Sequence, residues 1–154
     1  MQIRVIAESR TRDAHLRALQ EDYEQRIAHF AELSVEQIPR VKARGAAGRK
    51  ATTPAERRLL EKLQGTYKVA LDERGREWTS EEFSRWLGGQ ALRGARELVF
   101  LVGGADGFSA AFKQEADLLL AVSRMTLTHN WAHTLLLEQI YRAFTMLRGY
   151  PYPR

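Results

Sequence analysis

Residues Glu97–Gly107 read ELVFLVGGADG, and this stretch decides the fold. Leu98–Val102 is an unbroken apolar run of β-branched, aromatic and leucine residues closed by glycines. A run that short reads as a strand buried on both faces. Gly103, Gly104 and Gly107 then fall within five residues, which lets the backbone turn sharply and approach a ligand closely. Ser109 suits the N-cap of a following helix over Ala110–Leu120. Strand, glycine loop and helix is how many α/β proteins hold a cofactor at the carboxyl end of a central strand. The spacing is neither GxGxxG nor the phosphate loop GxxxxGK[ST], so the loop alone leaves a bound ligand and a plain tight turn both open.

On the amino-terminal side of that stretch, strands and helices alternate. Gln2–Ala7 is the first strand, and a helix capped by Asp13 runs to Phe30 with Leu16, Leu19, Tyr23, Ile27 and Phe30 on one apolar face. Leu33–Ile38 gives a second strand that Pro39 ends. Thr53 and Pro54 open a helix whose apolar side is Leu59, Leu60 and Leu63, with Gly65 as its stop. Tyr67–Leu71 is the third strand, followed by a polar, turn-forming Asp72–Gly75. Thr79 or Ser80 caps a helix that buries Phe83, Trp86 and Leu87, with Gly88-Gly89 or Gly94 loosening or ending it. On the carboxyl-terminal side, Ala121–Arg124 reads as a last short strand and Trp131–Arg148 as a long helix carrying Leu136, Ile140, Ala143, Phe144 and Leu147. The alternation predicts a single α/β domain with a mostly parallel sheet and flanking helices.

Composition bounds the function. The chain has 154 residues, 44% hydrophobic and 28% charged, which suits one soluble domain. No apolar run approaches a membrane span. Met1–Ser9 carries no secretory pattern, and the cytoplasm is the expected location. The absence of cysteine excludes disulfides, thiolate nucleophiles and cysteine-based zinc sites. His129 and His133 stand four apart, but Asn130 occupies the position that HExxH gives to glutamate, so no metal is expected. His15 and His29 read as surface residues. Ser109 and Ser123 lack the GxSxG context. Asp72, Asp106 and Glu138 lie far apart in sequence, with nothing to mark them as an acid–base set.

The net charge of +5 fits an anionic partner. Arg40, Lys42, Arg44, Arg49 and Lys50 form a glycine-containing basic segment without an acidic residue among them. Such a segment is either a solvated connection or an arm that contacts phosphates. The tail Gly149–Arg154 contains two prolines and cannot be helical. Its tyrosines either stack on bases or pack against the domain.

Three stretches together bring in a family. Leu98–Gly107, LVFLVGGADG, is similar to a strand followed by a GGxxG loop. Ser123–His129, SRMTLTH, is similar to S-x-M/L-T-[LF]-P-H. Leu137–Arg148, LEQIYRAFTMLR, carries E-x-x-Y-R-A-[FW] ahead of a short tail. With matching length and order, the chain resembles the RlmH family of SPOUT-class methyltransferases over nearly its whole length. The resemblance implies methylation of N3 of a pseudouridine in 23S ribosomal RNA, in assembled ribosomes, with S-adenosylmethionine as donor. It implies an α/β sheet with a C-terminal trefoil knot, and a homodimer whose partner subunit completes the site. Carried over by position, the cofactor pocket falls on Leu71, Gly103, Gly104, Val122, Ser123, Arg124, Met125, Thr126 and Leu127. Three positions depart from the pattern: Thr128 replaces a proline, His133 an arginine and Pro153 a histidine.

His129, just after that loop, is the expected group to position or deprotonate the base, since imidazole exchanges protons near neutrality; a purely structural hydrogen bond is the alternative. Arg142, Tyr152 and Arg154, with Arg44, Arg49 and Lys50, are the expected RNA contacts, although Arg142 also stands where it can pair with Glu138 on the helix surface. A non-catalytic RNA-binding protein on the same fold is the other class considered. The three loop glycines speak against it. A Rossmann-type nucleotide enzyme would need glycines after the first strand, and Glu8–Asp13 has none.

Overall fold

A computed structural model describes residues 1–39 and 50–152. Five strands and five helices alternate: β1 (Gln2–Glu8), α1 (Ala14–Ala28), β2 (Glu32–Ile38), α2 (Pro54–Lys62), β3 (Tyr67–Glu77), α3 (Ser80–Leu92), β4 (Glu97–Val102), α4 (Ala110–Gln114), β5 (Leu118–Ala121) and α5 (His129–Leu147). The sheet order is β2-β1-β4-β3-β5, with every pairing parallel. β4 lies at the centre, as its unbroken apolar run predicts. Leu98, Phe100 and Val102 face one core with residues of α1, α3 and α5, while Val99 and Leu101 face the other with Leu59, Leu63 and Phe112. Period-two alternation thus divides one strand between two apolar layers.

Local chemistry sets the helix starts. Asp13 accepts from the N–H groups of His15 and Leu16, and Thr53 and Thr79 form capping boxes with Glu56 and Glu82. Ser109 accepts from the N–H of Phe112. α3 runs through Gly88-Gly89 and ends before Gly94, whose φ is +77°. Gly88 has a packing reason, because a Cβ there would lie 2.8 Å from Cδ2 of Leu147 on α5.

Five sequence expectations need correction. Leu19 does not belong to the buried face of α1 and is 43% exposed, whereas Gln20 is buried and donates from Nε2 to Oγ1 of Thr134 at 3.0 Å. The helix expected over Ala110–Leu120 stops at Gln114, and the last strand is Leu118–Ala121 rather than Ala121–Arg124. Asp117 decides this: its carboxylate accepts the N–H of Lys68 at 2.7 Å and its own N–H donates to the carbonyl of Lys68 at 2.9 Å. Pairing with β3 thereby overrides the helical pattern. β3 does not end at Leu71. Leu71 and Arg76 both oppose Leu120, so Asp72–Gly75 bulges out within the strand. α5 begins at His129 rather than Trp131, with Thr128 as its N-cap.

Gly75 lies against β5, where a Cβ would sit 2.7 Å from backbone atoms of Leu119 and Leu120. Gly75→Ala should lower stability by about 1–3 kcal/mol, the usual cost of overpacking. Gly89→Ala, with nothing within 4 Å of the added Cβ, should leave stability unchanged or raise it by up to about 1 kcal/mol. Urea unfolding of both variants would check the contrast.

Candidate active site

The bulge of β3 and the carboxyl ends of β4 and β5 open onto a cavity of about 680 Å³. This is where parallel α/β sheets place ligands. Leu71 arrives from β3, Gly103 and Gly104 from the loop after β4, and Val122, Ser123, Met125, Thr126 and Leu127 from the segment after β5; all line the cavity. Arg124 does not: its side chain is 87% exposed and its Nε lies 3.6 Å from Glu77. His129, in the first turn of α5, completes the wall with Thr128 and Ala132.

Two buried carboxylates hold the glycine loop. Glu8, at the end of β1, accepts the N–H of Gly104 at 2.9 Å, and Glu56 of α2 accepts the N–H of Ser109 at 2.9 Å. Gly104 must be glycine for the first of these, since a Cβ there would lie 2.6 Å from Oε2 of Glu8. At Gly103 a Cβ would come within 3.3 Å of the Phe108 ring. At both positions the close packing of the loop against its own neighbours leaves bare backbone on the cavity lining.

The lining also contains Asp72, Glu73, Asp106 and Lys113, none of which the sequence marked as a set. Asp72 and Lys113 form an ion pair. Burial opposes ionisation of Asp72, but the Lys113 ammonium and the N–H of Arg74 outweigh it and hold the carboxyl below its ordinary range. Glu73 accepts from Oγ1 of Thr126 at 3.3 Å, linking the β3 bulge to the segment after β5. The position of Asp72 directly after the apolar run Val69–Leu71 was the one available signal. Glu138 lies elsewhere on α5.

His133 sits one turn beyond His129 and is buried, with an Nε2 that has no hydrogen-bond partner among the described residues. Burial, reinforced by His129, lowers its pKa to about 4.

The expected RNA contacts separate. Lys50 is exposed, and its carbonyl accepts the N–H of Ala111 at the start of α4. Arg44, Arg49 and Arg154 lie outside the described residues, as does Pro153. Arg142 is more than half of a surface pair. Its Nε and Nη2 donate to Oε1 of Glu138 at 3.0 and 2.7 Å, and its guanidinium lies 4.6 Å from the centre of the Tyr152 ring. The Tyr152 hydroxyl donates to Glu138 at 3.2 Å, lies 3.1 Å from that of Tyr23, and packs its ring edge-on against Tyr141. Burial, then these partners, raise the Tyr152 pKa. The tail therefore packs against its own domain through Tyr152. Thirteen residues of α-helix put Arg142 roughly 20 Å from His129 along the axis. Among the described residues there is no cluster of metal-ligating side chains, and no helix is long and apolar enough to cross a membrane.

A parallel α/β fold with a glycine-lined cavity at its carboxyl edge defines a small-ligand or cofactor-binding class. The comparisons make it particular. A family model described as a predicted SPOUT methyltransferase matches residues 1–153. A Thermus thermophilus protein named ribosomal RNA large subunit methyltransferase H is 42% identical over 154 residues, covering 100% of this chain and 99% of its own. A protein of the same name from an Anaeromyxobacter species is 38% identical over 157 residues, covering 99% of each chain. Among solved structures, a methylase-family protein from Neisseria gonorrhoeae superposes with a TM-score of 0.55 at 15% identity, over 99% of this chain and 85% of that one, which supports the fold. The chain belongs to the SPOUT methyltransferases, in the RlmH family.

The buried imidazole predicts a pH dependence. The unfolded chain protonates His133 near 6.5 and the folded chain only near 4, so the unfolded state binds more protons between these values. This contribution to stability is complete above pH 6.5 and is lost as pH falls to about 4, a difference on the order of 3 kcal/mol. Urea unfolding at pH 7 and pH 4.5 should show the loss, and His133→Leu should remove that part of it.

Proposed function

We propose that this chain transfers a methyl group from S-adenosylmethionine to N3 of a pseudouridine in large-subunit ribosomal RNA, on the assembled ribosome and in the cytoplasm. The observation that carries the reading is the junction of the Gly103–Gly107 loop with Val122–His129 around one cavity, in a chain whose relatives carry that enzyme name over their full length. The cavity is within the size range of cofactor sites and joins apolar walls (Leu71, Val122, Leu127) to acidic ones (Asp72, Glu73, Asp106). Those residues fit a ligand with an apolar thioether-like stem, a polar nucleoside and positive charge. Gly103 and Gly104 would admit it against bare backbone. Arg124 would contribute through its main chain.

The donor supplies a methyl group already activated on a positively charged sulfur. The protein's tasks are then to orient the acceptor in line, exclude water and receive a proton. The N–CH3 bond forms as the S–CH3 bond breaks, and the N3 proton leaves the base. His129, on the cavity wall, is the residue assigned to position the base or take that proton. Lys50, Arg44 and Arg49 would neutralise phosphates of the RNA.

The same reading includes a C-terminal knot and a homodimer. Its support for the dimer is a distance: Arg142 lies roughly 20 Å along α5 from His129, and Tyr152 of the tail packs beside Arg142, too far to meet a base at their own chain's cavity. A second copy would bring its Arg142, Tyr152 and Arg154 to that cavity. The loop glycines and the cavity beside them weigh against a non-catalytic RNA-binding protein.

The test is transfer of labelled methyl from S-adenosylmethionine to ribosomes lacking the modification, with free ribosomal RNA in parallel and the labelled nucleoside identified by mass. Label on a pseudouridine in ribosomes alone is the expected result. His129→Ala should reduce turnover about 100-fold or more with cofactor binding intact, and near-normal turnover would dismiss its catalytic role. Co-expressed His129→Ala and Arg142→Ala chains, each inactive alone, should recover about a quarter of wild-type activity, because about half of randomly paired dimers are mixed and each of those has one of its two shared sites whole.

A further inference from the structure

One described residue other than glycine adopts a left-handed backbone: Ser9, with φ of 67°. It follows β1 directly, behind two parts of the cavity lining, Gly104 and His129, that Glu8 and Ser9 contact. Positive φ is uncommon outside glycine, and such residues collect where surrounding structure fixes a functional geometry. Here the turn lets two adjacent side chains serve different walls. Glu8 is 5% exposed and accepts the Gly104 N–H at 2.9 Å. The Ser9 hydroxyl lies 3.4 Å from Nε2 of His129. Two residues on, Oγ1 of the buried Thr11 donates to Oδ1 of Asn130 at 3.2 Å. The backbone of the turn is fixed in its own right by the Ser9 N–H, which donates to the carbonyl of Ile38 at 3.0 Å.

We infer that the Glu8–Ser9 turn is a positioning device for the reaction: Glu8 sets the glycine loop that receives the donor, and Ser9 sets the imidazole of His129 that meets the acceptor. The inference rests on the methyl-transfer reading of the cavity. Neither residue touches the reacting atoms. Glu8 acts through the N–H of Gly104, so removing its carboxylate takes away the protein acceptor that holds the loop and lets the loop shift. Ser9 acts by holding one ring nitrogen of His129, which selects the tautomer and so the nitrogen that faces the cavity.

The two residues therefore separate by parameter. Glu8→Ala should weaken S-adenosylmethionine binding about tenfold in calorimetry. Glu8→Gln keeps an acceptor for Gly104 and should bind within about twofold of wild type, since the hydrogen bond rather than the charge does the positioning. Ser9→Ala and Ser9→Gly should leave cofactor binding unchanged and lower kcat on ribosomes about tenfold. Ser9→Gly also relieves the backbone and should not lower the melting temperature, which distinguishes lost positioning from lost stability. Nitrogen-15 shifts of the His129 ring should move toward a tautomer mixture in both Ser9 variants. A Ser9→Gly chain with wild-type kcat and unmoved ring shifts would overturn the role of Ser9. Glu8→Gln binding as poorly as Glu8→Ala, or Glu8→Ala binding as wild type, would overturn that of Glu8. If the unsubstituted chain bound no S-adenosylmethionine, the methyl-transfer reading would fall and this inference with it; wild-type binding and turnover beside unaltered variants would overturn the positioning alone.

Discussion

The backbone of β5 lies directly on Gly75 of β3, with no room for a single added carbon between them. This contact fixes the outer strand of the sheet. Asp117 locks the start of β5 to Lys68, and Leu71 and Arg76 both oppose Leu120 across the bulge. From Ala121 the chain can only pass over the carboxyl ends of its neighbours, which delivers Val122–Thr128 to the glycine loop and starts α5 beside it. The bulge itself supplies Asp72 and Glu73 to the same cavity. One close approach thus determines the outer strand, the segment that walls the cavity and the placement of His129.

α5 joins two different environments. Its first turn belongs to the cavity, and its last turns pack Phe144 and Leu147 against Phe30 and Gly88. Between them Ser84, Ser80 and Gln20 bond to Ala143, Gln139 and Thr134, so the helix is pinned by polar as well as apolar contacts. A pinned helix makes a rigid ruler between His129 and Arg142. Charge is divided as well. The chain carries a net +5, yet the cavity lining holds three carboxylates and one lysine. An acidic interior in a basic molecule suits the methyl-transfer reading, with a cationic donor inside and an anionic nucleic acid outside.

Much of this was legible because it is local. The run Leu98–Val102 needed only its composition, and Asp13, Thr53, Thr79 and Ser109 announced their helices through side-chain capping that operates within three residues. The misreadings share a different cause. Leu118–Leu120 fits a helix or a strand equally well, and the pair that decides it, Asp117 with Lys68, spans 49 positions. Gln20 displaces Leu19 from the buried side because its amide finds Thr134, 114 positions away. In the cavity, glycines and the segment Val122–Leu127 were recognisable through the family pattern, but Glu8, Lys113 and the Asp72 pair acquire meaning only from tertiary placement. No periodicity marks a carboxylate whose single task is to hold another segment's N–H.

The strand order has a consequence for how the chain is made. β1 and β2 are neighbours in sequence and in the sheet, so the first 38 residues can pair as they emerge. β3 has no such partner. Both of its edges are covered by strands synthesised later, β4 on one side and β5 on the other. Until then it is an apolar strand with two open edges, the kind of segment that invites wrong pairing. Closing it requires contacts between distant parts of the chain, which slows folding relative to locally wired proteins. The cavity, built from the bulge of β3, the ends of β4 and β5 and the first turn of α5, therefore cannot form until those later segments have been made.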